Sequence, residues 1–368
     1  MSPQKETTQT LFNNLTIRPP TADDLGGITK LLNARSMDIL ETQVTTLARQ
    51  KRQFQSTDSH PQLNSRLVSR PNGEIVGYLA LSNSAPHIVS EIRGAVHPHY
   101  RGQGVGTYLL QWAEQRAREL IPQAPAGTRV VLHGDDIFNT NYPARDLFVS
   151  QGYTPIRHFI HLRITMTSPP PEPIWPEGIT VRPVVPEDWP VLGTALDEAF
   201  QDHWGVVAYE AEEMEASDEV AHSHETALPD ETAPLEETGD SQDDETDEDE
   251  DKAYFNTPGL CFVALAGDEV VGSCLCNAKT VEFPNTGKIG SLSVRRPWRR
   301  RGLGLALTYH ALGEFYRRGT ANVITDTDAN SFTNAPRLYI KAGMTTFRQE
   351  DVYEKEIRPG KELKKRSL

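Results

Sequence analysis

Tyr100-Arg-Gly-Gln-Gly-Val-Gly106 and Trp298-Arg-Arg-Arg-Gly-Leu-Gly304 are two versions of one short motif. Arg101, Gly104 and Gly106 match Arg299, Gly302 and Gly304 at a constant offset of 198. Each copy follows an apolar stretch of strand character and leads into a stretch with helical period. Glycines at these places let the backbone turn tightly, so that successive N–H groups converge with no side chain in the way. Those groups, with the positive end of the helix that follows, make a site for a diphosphate. A Rossmann turn needs Gly-x-Gly-x-x-Gly and a Walker A loop needs Gly-Lys-Ser/Thr, and neither pattern fits. The earlier copy holds one arginine and no lysine, which argues for phosphate geometry over an arginine-rich nucleic-acid patch.

The duplication extends outward from these turns. Leu15-Thr-Ile-Arg-Pro19 returns as Ile179-Thr-Val-Arg-Pro183 at an offset of 164, each leading to an acidic helix start, Ala22-Asp-Asp24 and Pro186-Glu-Asp188. Downstream, Leu147-Phe-Val-Ser-Gln-Gly-Tyr153 matches Leu338-Tyr-Ile-Lys-Ala-Gly-Met344 at an offset of 191. The second copy therefore holds 34 more residues between its first strand and its glycine turn. The surplus coincides with the tract 209–252, which carries twenty Asp and Glu and a single Lys. Taking those charges away from a net −14 leaves +5, so the acidity belongs to one insert. Such a tract buries too little apolar surface to offset its ordering entropy, and disorder is expected. It reads as a solvated loop insertion, with a tether for basic partners or a shield over the neighbouring cleft as the alternatives.

A chain of 368 residues suits two domains, each burying its own core. We expect an N-terminal domain at 1–166, a stiff proline-rich linker at 167–177 and a C-terminal domain at 178–368. Hydrophobic periods in the first half predict a strand at 15–18, helices at 23–34 and 41–53, and strands at 65–69, 74–81 and 87–96. A helix at 104–120, a strand at 129–133, a helix at 142–151 and a strand at 158–165 follow. The second half repeats the order, with strands at 260–266, 269–280 and 287–294, a helix at 302–318, a strand at 322–326, a helix at 332–342 and a strand at 352–357. Cys274 and Cys276 are two apart on a predicted strand, so they share a face and read as buried strand positions; no metal site is expected. No apolar run approaches the ~20 residues that span a bilayer. The opening Met-Ser-Pro-Gln-Lys-Glu lacks the apolar core of a secretory signal. A soluble cytoplasmic protein, monomer or homodimer, with no membrane or nucleic-acid partner, is the expectation.

The order strand, helices, three-strand meander, Arg-x-x-Gly-x-Gly, helix, strand, helix, Gly-aromatic resembles the Gcn5-related N-acetyltransferases (GNAT), and it covers nearly the whole chain twice. The resemblance implies an α/β (α+β) fold class: two tandem GNAT folds, each a mixed, mostly antiparallel sheet flanked by helices. It implies acetyl-CoA as donor, with Leu292, Ser293 and Val294 beside the pantetheine. Arg299, Arg300, Arg301, Gly302, Leu303, Gly304 and Leu305 would hold the pyrophosphate, joined by Asn330 and Asn334. In the first half Val96, Arg101, Gly102, Gln103, Gly104, Val105 and Gly106 would form the corresponding set. Within the family, the tandem arrangement and the ending Gly343-Met…Asp351-Val-Tyr353 are similar to mycothiol synthase-like acetyltransferases.

Moving an acetyl group from a thioester to an amine needs an uncharged nucleophile, a donor for the oxyanion and an acid for the departing thiolate. Between Ile289 and Leu292 the apolar alternation slips by one residue. That reads either as a β-bulge that frees a backbone N–H for the thioester oxygen, or as an ordinary strand with Gly290 and Ser291 at the surface. The resemblance favours the bulge. It also assigns Tyr339 as the acid that protonates the thiolate, whereas the matching first-half residue is Phe148, which keeps the packing and removes the proton. The C-terminal domain is therefore expected to catalyse and the N-terminal domain to bind or support. Glu282 is the candidate general base, acting through water. Asp202 and His203 read as acceptor contacts or helix caps, and Glu91 occupies the corresponding strand of the first half. The acceptor is a primary amine of a small molecule or peptide. A non-catalytic acyl-CoA sensor, a protein-interaction module and transfer of a longer acyl chain are the competing readings.

Overall fold

The computed structural model describes residues 14–55, 60–207 and 257–364. The expected acidic insert at 209–252 lies outside the described residues. Chain contacts divide the protein into two compact units, Met1–His158 with Glu350–Glu362, and Phe159–Gln349 with Leu363–Leu368.

The first unit starts with β1 (Thr16–Arg18), α1 (Leu25–Leu40), α2 (Leu47–Gln55), α3 (Pro61–Asn64) and the meander β2 (Ser65–Ser69), β3 (Ile75–Ser82), β4 (Val89–Val96). Helix α4 (Val105–Leu120), β5 (Val130–Phe138) and α5 (Tyr142–Ser150) follow, and the chain leaves along β6 (Thr154–Thr165). The second half has β7 (Ile179–Pro183), α6 (Trp189–Phe200), β8 (Phe262–Ala266), β9 (Glu269–Asn277), β10 (Thr286–Val294), α7 (Leu303–Arg317), β11 (Asn322–Asp328), α8 (Ala335–Lys341) and β12 (Thr345–Arg358). Helix α1 runs six residues past the expected end at 34. It stops where Glu41 enters the left-handed region with φ 59° and its N–H bonds the Met37 carbonyl.

In the first unit the strand order is β1-β2-β3-β4-β5-β12, antiparallel except for the β4–β5 pair. In the second it is β7-β8-β9-β10-β11-β6, antiparallel except for β10–β11. The expected boundaries at 166 and 178 are corrected here, because each unit closes its sheet with a strand from the other half of the sequence. Residues 159–165 of β6 pair with β11, and residues 350–358 of β12 pair with β5. Arg129 fastens β12 to its sheet. Its guanidinium donates to Glu354 at 2.6 Å and Glu356 at 2.8 Å and lies 3.2 Å from Glu362. Buried Glu354 also meets His133 Nε2 at 3.1 Å.

Packing follows the helical period. Leu303, Ala306, Leu307, Ala311, Leu312 and Phe315 form the buried face of α7 against Cys274, Cys276 and Ile289 of the sheet. Each large side chain there contributes on the order of 2 kcal/mol. On α4 the equivalent face is Val105, Leu109, Leu110, Ala113, Ala117 and Leu120. Cys274 and Cys276, both free thiols, share the α7 face of the second sheet as expected, and Cys261 packs on the other face with Leu192 and Leu196.

The repeated Thr-x-Arg-Pro strand acquires a physical reason. Arg18 grips Asp24 through two hydrogen bonds of 2.6 and 2.7 Å, and Arg182 grips Asp188 through two of the same lengths. Asp24 also accepts from the Thr21 backbone N–H at 2.7 Å and the Thr21 hydroxyl at 2.9 Å, closing a capping box. The Arg18 hydrogen bond pulls the Asp24 carboxyl down to about 2, against the opposing effect of burial.

Two outcomes are expected. Removing Arg129 leaves buried Glu354 short of its main cation, so Arg129→Ala should lower unfolding free energy by about 3 kcal/mol in urea titrations. The Asp24 pair contributes about 1 kcal/mol once the solvent around half-exposed Arg18 is allowed for. A carboxyl held low in the folded state stabilises fully above its unfolded value of 3.8 and loses that stabilisation as pH falls toward about 2. Asp24→Asn should flatten the stability profile over that window and leave the profile above it unchanged in shape.

Candidate active site

In the second unit, the parallel ladder between β10 and β11 holds for only three pairs, ending at Lys288↔Ile324. Two further links sit at the point of parting. Lys288 Nζ meets Asp326 at 2.8 Å, and the Thr325 hydroxyl donates to the Ile289 carbonyl at 2.9 Å. Beyond them β10 continues toward the glycine turn on its other partner, β9, alone. Its register against β9 slips between Ile289 and Ser291, so Gly290 is an extra residue and the strand has a β-bulge where the alternation slipped. In the first unit, the β3–β4 ladder runs from Ser82↔Glu91 to Gly77↔Val96 without a slip.

Turn geometry is the same in both units. Gly104 and Gly302 take φ of 82° and 90° as the residues before α4 and α7, a conformation that a side chain strains. Nothing lies within 4 Å of where a Gly302 Cβ would stand, which leaves the helix N-terminus open to a ligand. Arg300 also has positive φ, 66°, and Arg300 and Arg301 are exposed, with the Arg301 guanidinium 4.9 Å from the centre of the Trp298 ring. Gly102, another positive-φ residue, and Gln103, whose side chain donates to the His99 carbonyl, fill the corresponding places in the first unit. The last glycine of each motif has a different task. A Cβ on Gly106 would stand 2.8 Å from Leu147, and one on Gly304 would stand 2.8 Å from Leu338, so these glycines let α5 and α8 close on α4 and α7.

Arg299 is engaged within the protein. It donates to the Val294 carbonyl at 2.9 Å, to Asp202 at 2.6 Å and to the Ala199 carbonyl at 2.8 Å. Asp202, 4% exposed, also takes Arg296 through both oxygens. Arg101 meets Asp38 at 2.6 Å in the same way, and Asp38 and Asp202 lie at the offset of 164. The first residue of the motif thus braces the turn against the first helix, and Asp202 is part of that brace. His203 stacks edge-on against Phe200. Asn330 and Asn334 are exposed on the turn between β11 and α8, with Asn334 as the left-handed residue that opens α8. Leu303 is buried in the core of the second unit with Leu305 half-buried against it, and Val96 is half-buried against the core of the first unit. Val105 is buried at the start of α4.

Tyr339 is 5% exposed and packs with Leu162, Met344 and Leu292, which places it against the strand that runs free past the bulge. Its hydroxyl shares a hydrogen bond with Thr325. Burial drives its pKa well above the ordinary phenol value, Thr325 opposes that, and nearby Cys274, Asp326 and Cys276 add to it. The phenol is therefore a held proton. Thr325 is the residue that the sequence reading missed. It joins Tyr339 to the carbonyl of Ile289 beside the bulge, and its first-unit counterpart at the offset of 191 is Gly134. There the Phe148 ring lies directly over Gly134, with no room for a Cβ, and stacks edge-on with Tyr153 at 5.0 Å. The first unit has also lost the cross-strand cation. Asp135 is pushed well up by burial and by the charge of Glu91, while Arg93 meets Asp136 at 3.1 Å.

Glu282, the expected base, is held by a neighbour. Its carboxylate is ion-paired with Arg348, whose guanidinium lies over Phe347 at 5.3 Å and Phe283 at 5.9 Å. Among the described residues no group of His, Cys, Asp or Glu side chains has the arrangement to hold a metal ion. None of the described helices is long and apolar enough to cross a membrane.

The brace can be tested by stability. Asp202→Ala leaves Arg296 and Arg299 without their shared anion, and a loss of about 2–3 kcal/mol is expected in chemical denaturation. An equally stable variant would remove the brace from the account of the turn.

Comparisons with known proteins agree with this fold. A family model described as "Acetyltransferase (GNAT) family" matches residues 34–153 and again 224–344. A mycothiol acetyltransferase of Streptomyces scabiei (strain 87.22) is 27% identical over 285 residues, covering 77% of each chain. One of Amycolatopsis mediterranei (strain U-32) is 28% identical over 292 residues, covering 76% of this chain and 80% of that one. Among solved structures, a GCN5-related N-acetyltransferase from Sphaerobacter thermophilus superposes with a TM-score of 0.68 at 31% identity, covering 95% of this chain and 98% of that one. A tandem GNAT protein from the clavulanic acid biosynthesis pathway shares the fold, with a TM-score of 0.60 at 17% identity over 94% of this chain and 99% of that one. The family model matches twice and the two matches together cover most of the chain, so this protein belongs to the acetyltransferase (GNAT) family.

Proposed function

We propose that the second unit transfers an acetyl group from acetyl-CoA to a primary amine of a small molecule or peptide, and that the first unit has no chemistry of its own. The observation that carries this reading is the conjunction of a bulged β10, an open glycine turn and the buried Tyr339 in one unit, whereas in the other β4 pairs without a slip and Phe148 stands at the position of Tyr339. Residues suited to the cofactor are present. The N–H groups around Gly302 at the start of α7 would take the diphosphate, with exposed Arg300 and Arg301 adding charge. Leu292 and Val294 would line the pantetheine arm. Bound there, acetyl-CoA supplies an activated acetyl group whose C–S bond breaks as the amide C–N bond forms.

The chain's own groups then have separate tasks. The bulge at Gly290 frees a backbone N–H for the carbonyl oxygen of the acetyl group, a kind of contact worth on the order of 3 kcal/mol in the barrier. Tyr339 gives its phenolic proton to the departing sulfur, and the surplus proton of the nitrogen leaves to solvent. Thr325 keeps the phenol aimed at the point where the strands part. Relatives named mycothiol acetyltransferase support a small-molecule acceptor.

Thiol release from acetyl-CoA in the presence of a panel of primary amines tests the reading. Tyr339→Phe should lower kcat by about 10²–10⁴-fold while the Kd for acetyl-CoA, measured by calorimetry, stays within twofold. Unchanged turnover in the variant would remove Tyr339 from the chemistry.

A further inference from the structure

Ser291 is out of balance with its surroundings. The residue is 8% exposed, and its hydroxyl oxygen is buried without a hydrogen-bond partner among the described residues. Ser293, two residues further along β10, is buried too, yet its hydroxyl is satisfied by Ser273 at 2.7 Å. A buried hydroxyl with no partner forfeits its water and gains nothing in exchange, and such groups are rare unless something else binds them.

Its placement is a consequence of the bulge. Ile289 pairs with Cys276 and packs on the α7 face of the sheet. One residue beyond Gly290, Ser291 pairs with Leu275, which packs with Leu192 and Leu196 of α6. In a regular strand, residues 289 and 291 would share one face. The extra residue moves Ser291 to the α6 side, just past the last β10–β11 pair and next to Leu292, which touches the Tyr339 cluster. Acidic groups on or next to the elements that adjoin β10 are already engaged. Glu198 is paired with Arg295, Asp202 with Arg296 and Arg299, Asp326 with Lys288, and Glu282 with Arg348.

We infer that the Ser291 hydroxyl is the ligand for the acceptor nitrogen, accepting an N–H from a neutral primary amine on the α6 face of the sheet. This rests on the acetyltransferase reading and narrows it to a substrate class. A hydroxyl stabilises an ammonium ion far less than a carboxylate does, so the site favours amines that shed their proton near neutrality. α-Amino groups do so near ~8, whereas alkyl ε-amines hold theirs until ~10.4. An α-amine or amino-sugar nitrogen is the acceptor that this position fits.

The test compares wild type and Ser291→Ala with glucosamine, glycinamide, spermidine and Nα-acetyl-lysine as acceptors, alongside calorimetry with acetyl-CoA and thermal unfolding. Wild type should use glucosamine or glycinamide with at least tenfold higher kcat/KM than the two alkylamines. Ser291→Ala should lose about tenfold or more in kcat/KM for the best amine, mainly through KM, with the acetyl-CoA Kd unchanged. Its unfolding midpoint should rise, because an orphaned hydroxyl is gone; a merely structural serine would lower it. Preference for the alkylamines, an unchanged KM for the amine, or a lowered midpoint would each overturn the role of Ser291 while leaving acetyl transfer standing. A wild-type protein that releases no thiol with any of the four amines overturns the acetyltransferase reading and this inference together.

Discussion

Two parallel strands that stop bonding after a few residues are the constraint on which the rest of the second unit depends. β10 and β11 share three pairs and then part, held at the fork by Lys288–Asp326 and by the Thr325 hydroxyl on the Ile289 carbonyl. A strand that lost its neighbour along an ordinary sheet would strand polar backbone groups, and proteins seldom leave these unsatisfied. Here the lost ladder coincides with a bulge, an open helix N-terminus and a buried phenol, all of which gain from a ligand that brings its own polar atoms. The fork, the bulge and Tyr339 are tied into one assembly through Thr325, so none can shift without the others.

The brace behind the turn is equally physical. Arg101–Asp38 and Arg299–Asp202 join the first residue of each glycine motif to the end of the first helix. This fixes where the N-terminus of the long helix points. It also explains why an arginine begins both copies although the units differ in their other site residues. In the proposed reading the phosphate charge falls instead to Arg300 and Arg301, which the first unit replaces by Gly102 and Gln103.

The two halves keep one frame and differ at the fork. Turn, brace and the Arg18–Asp24 and Arg182–Asp188 clamps are retained in both units. The first unit lacks the bulge, has Phe148 over Gly134 in place of Tyr339 beside Thr325, and sets Glu91 near Asp135 where the second sets Lys288 against Asp326. Each change removes a proton, a donor or a balanced charge at the fork and leaves packing intact.

Sequence alone determined the duplication, the order of elements, the glycine turns and the contrast between Tyr339 and Phe148, because these are local patterns or repeats at constant offsets. The slip around Gly290 showed in the alternation but fitted an ordinary strand as well; the family resemblance favoured the bulge, and the pairing register with β9 shows it. Tertiary structure decided what depends on distant partners. Arg299 and Glu282 read as ligand and base until Asp202 and Arg348 are seen to hold them. Thr325 carries no mark in its own neighbourhood, because its importance comes from Ile289 and Tyr339, which lie elsewhere in the chain. The exchange of closing strands was hidden for the same reason. β6 and β12 follow equivalent motifs and have equivalent periods, and only the side chains that meet them, such as Arg129 on Glu354, choose the sheet in which each one lies.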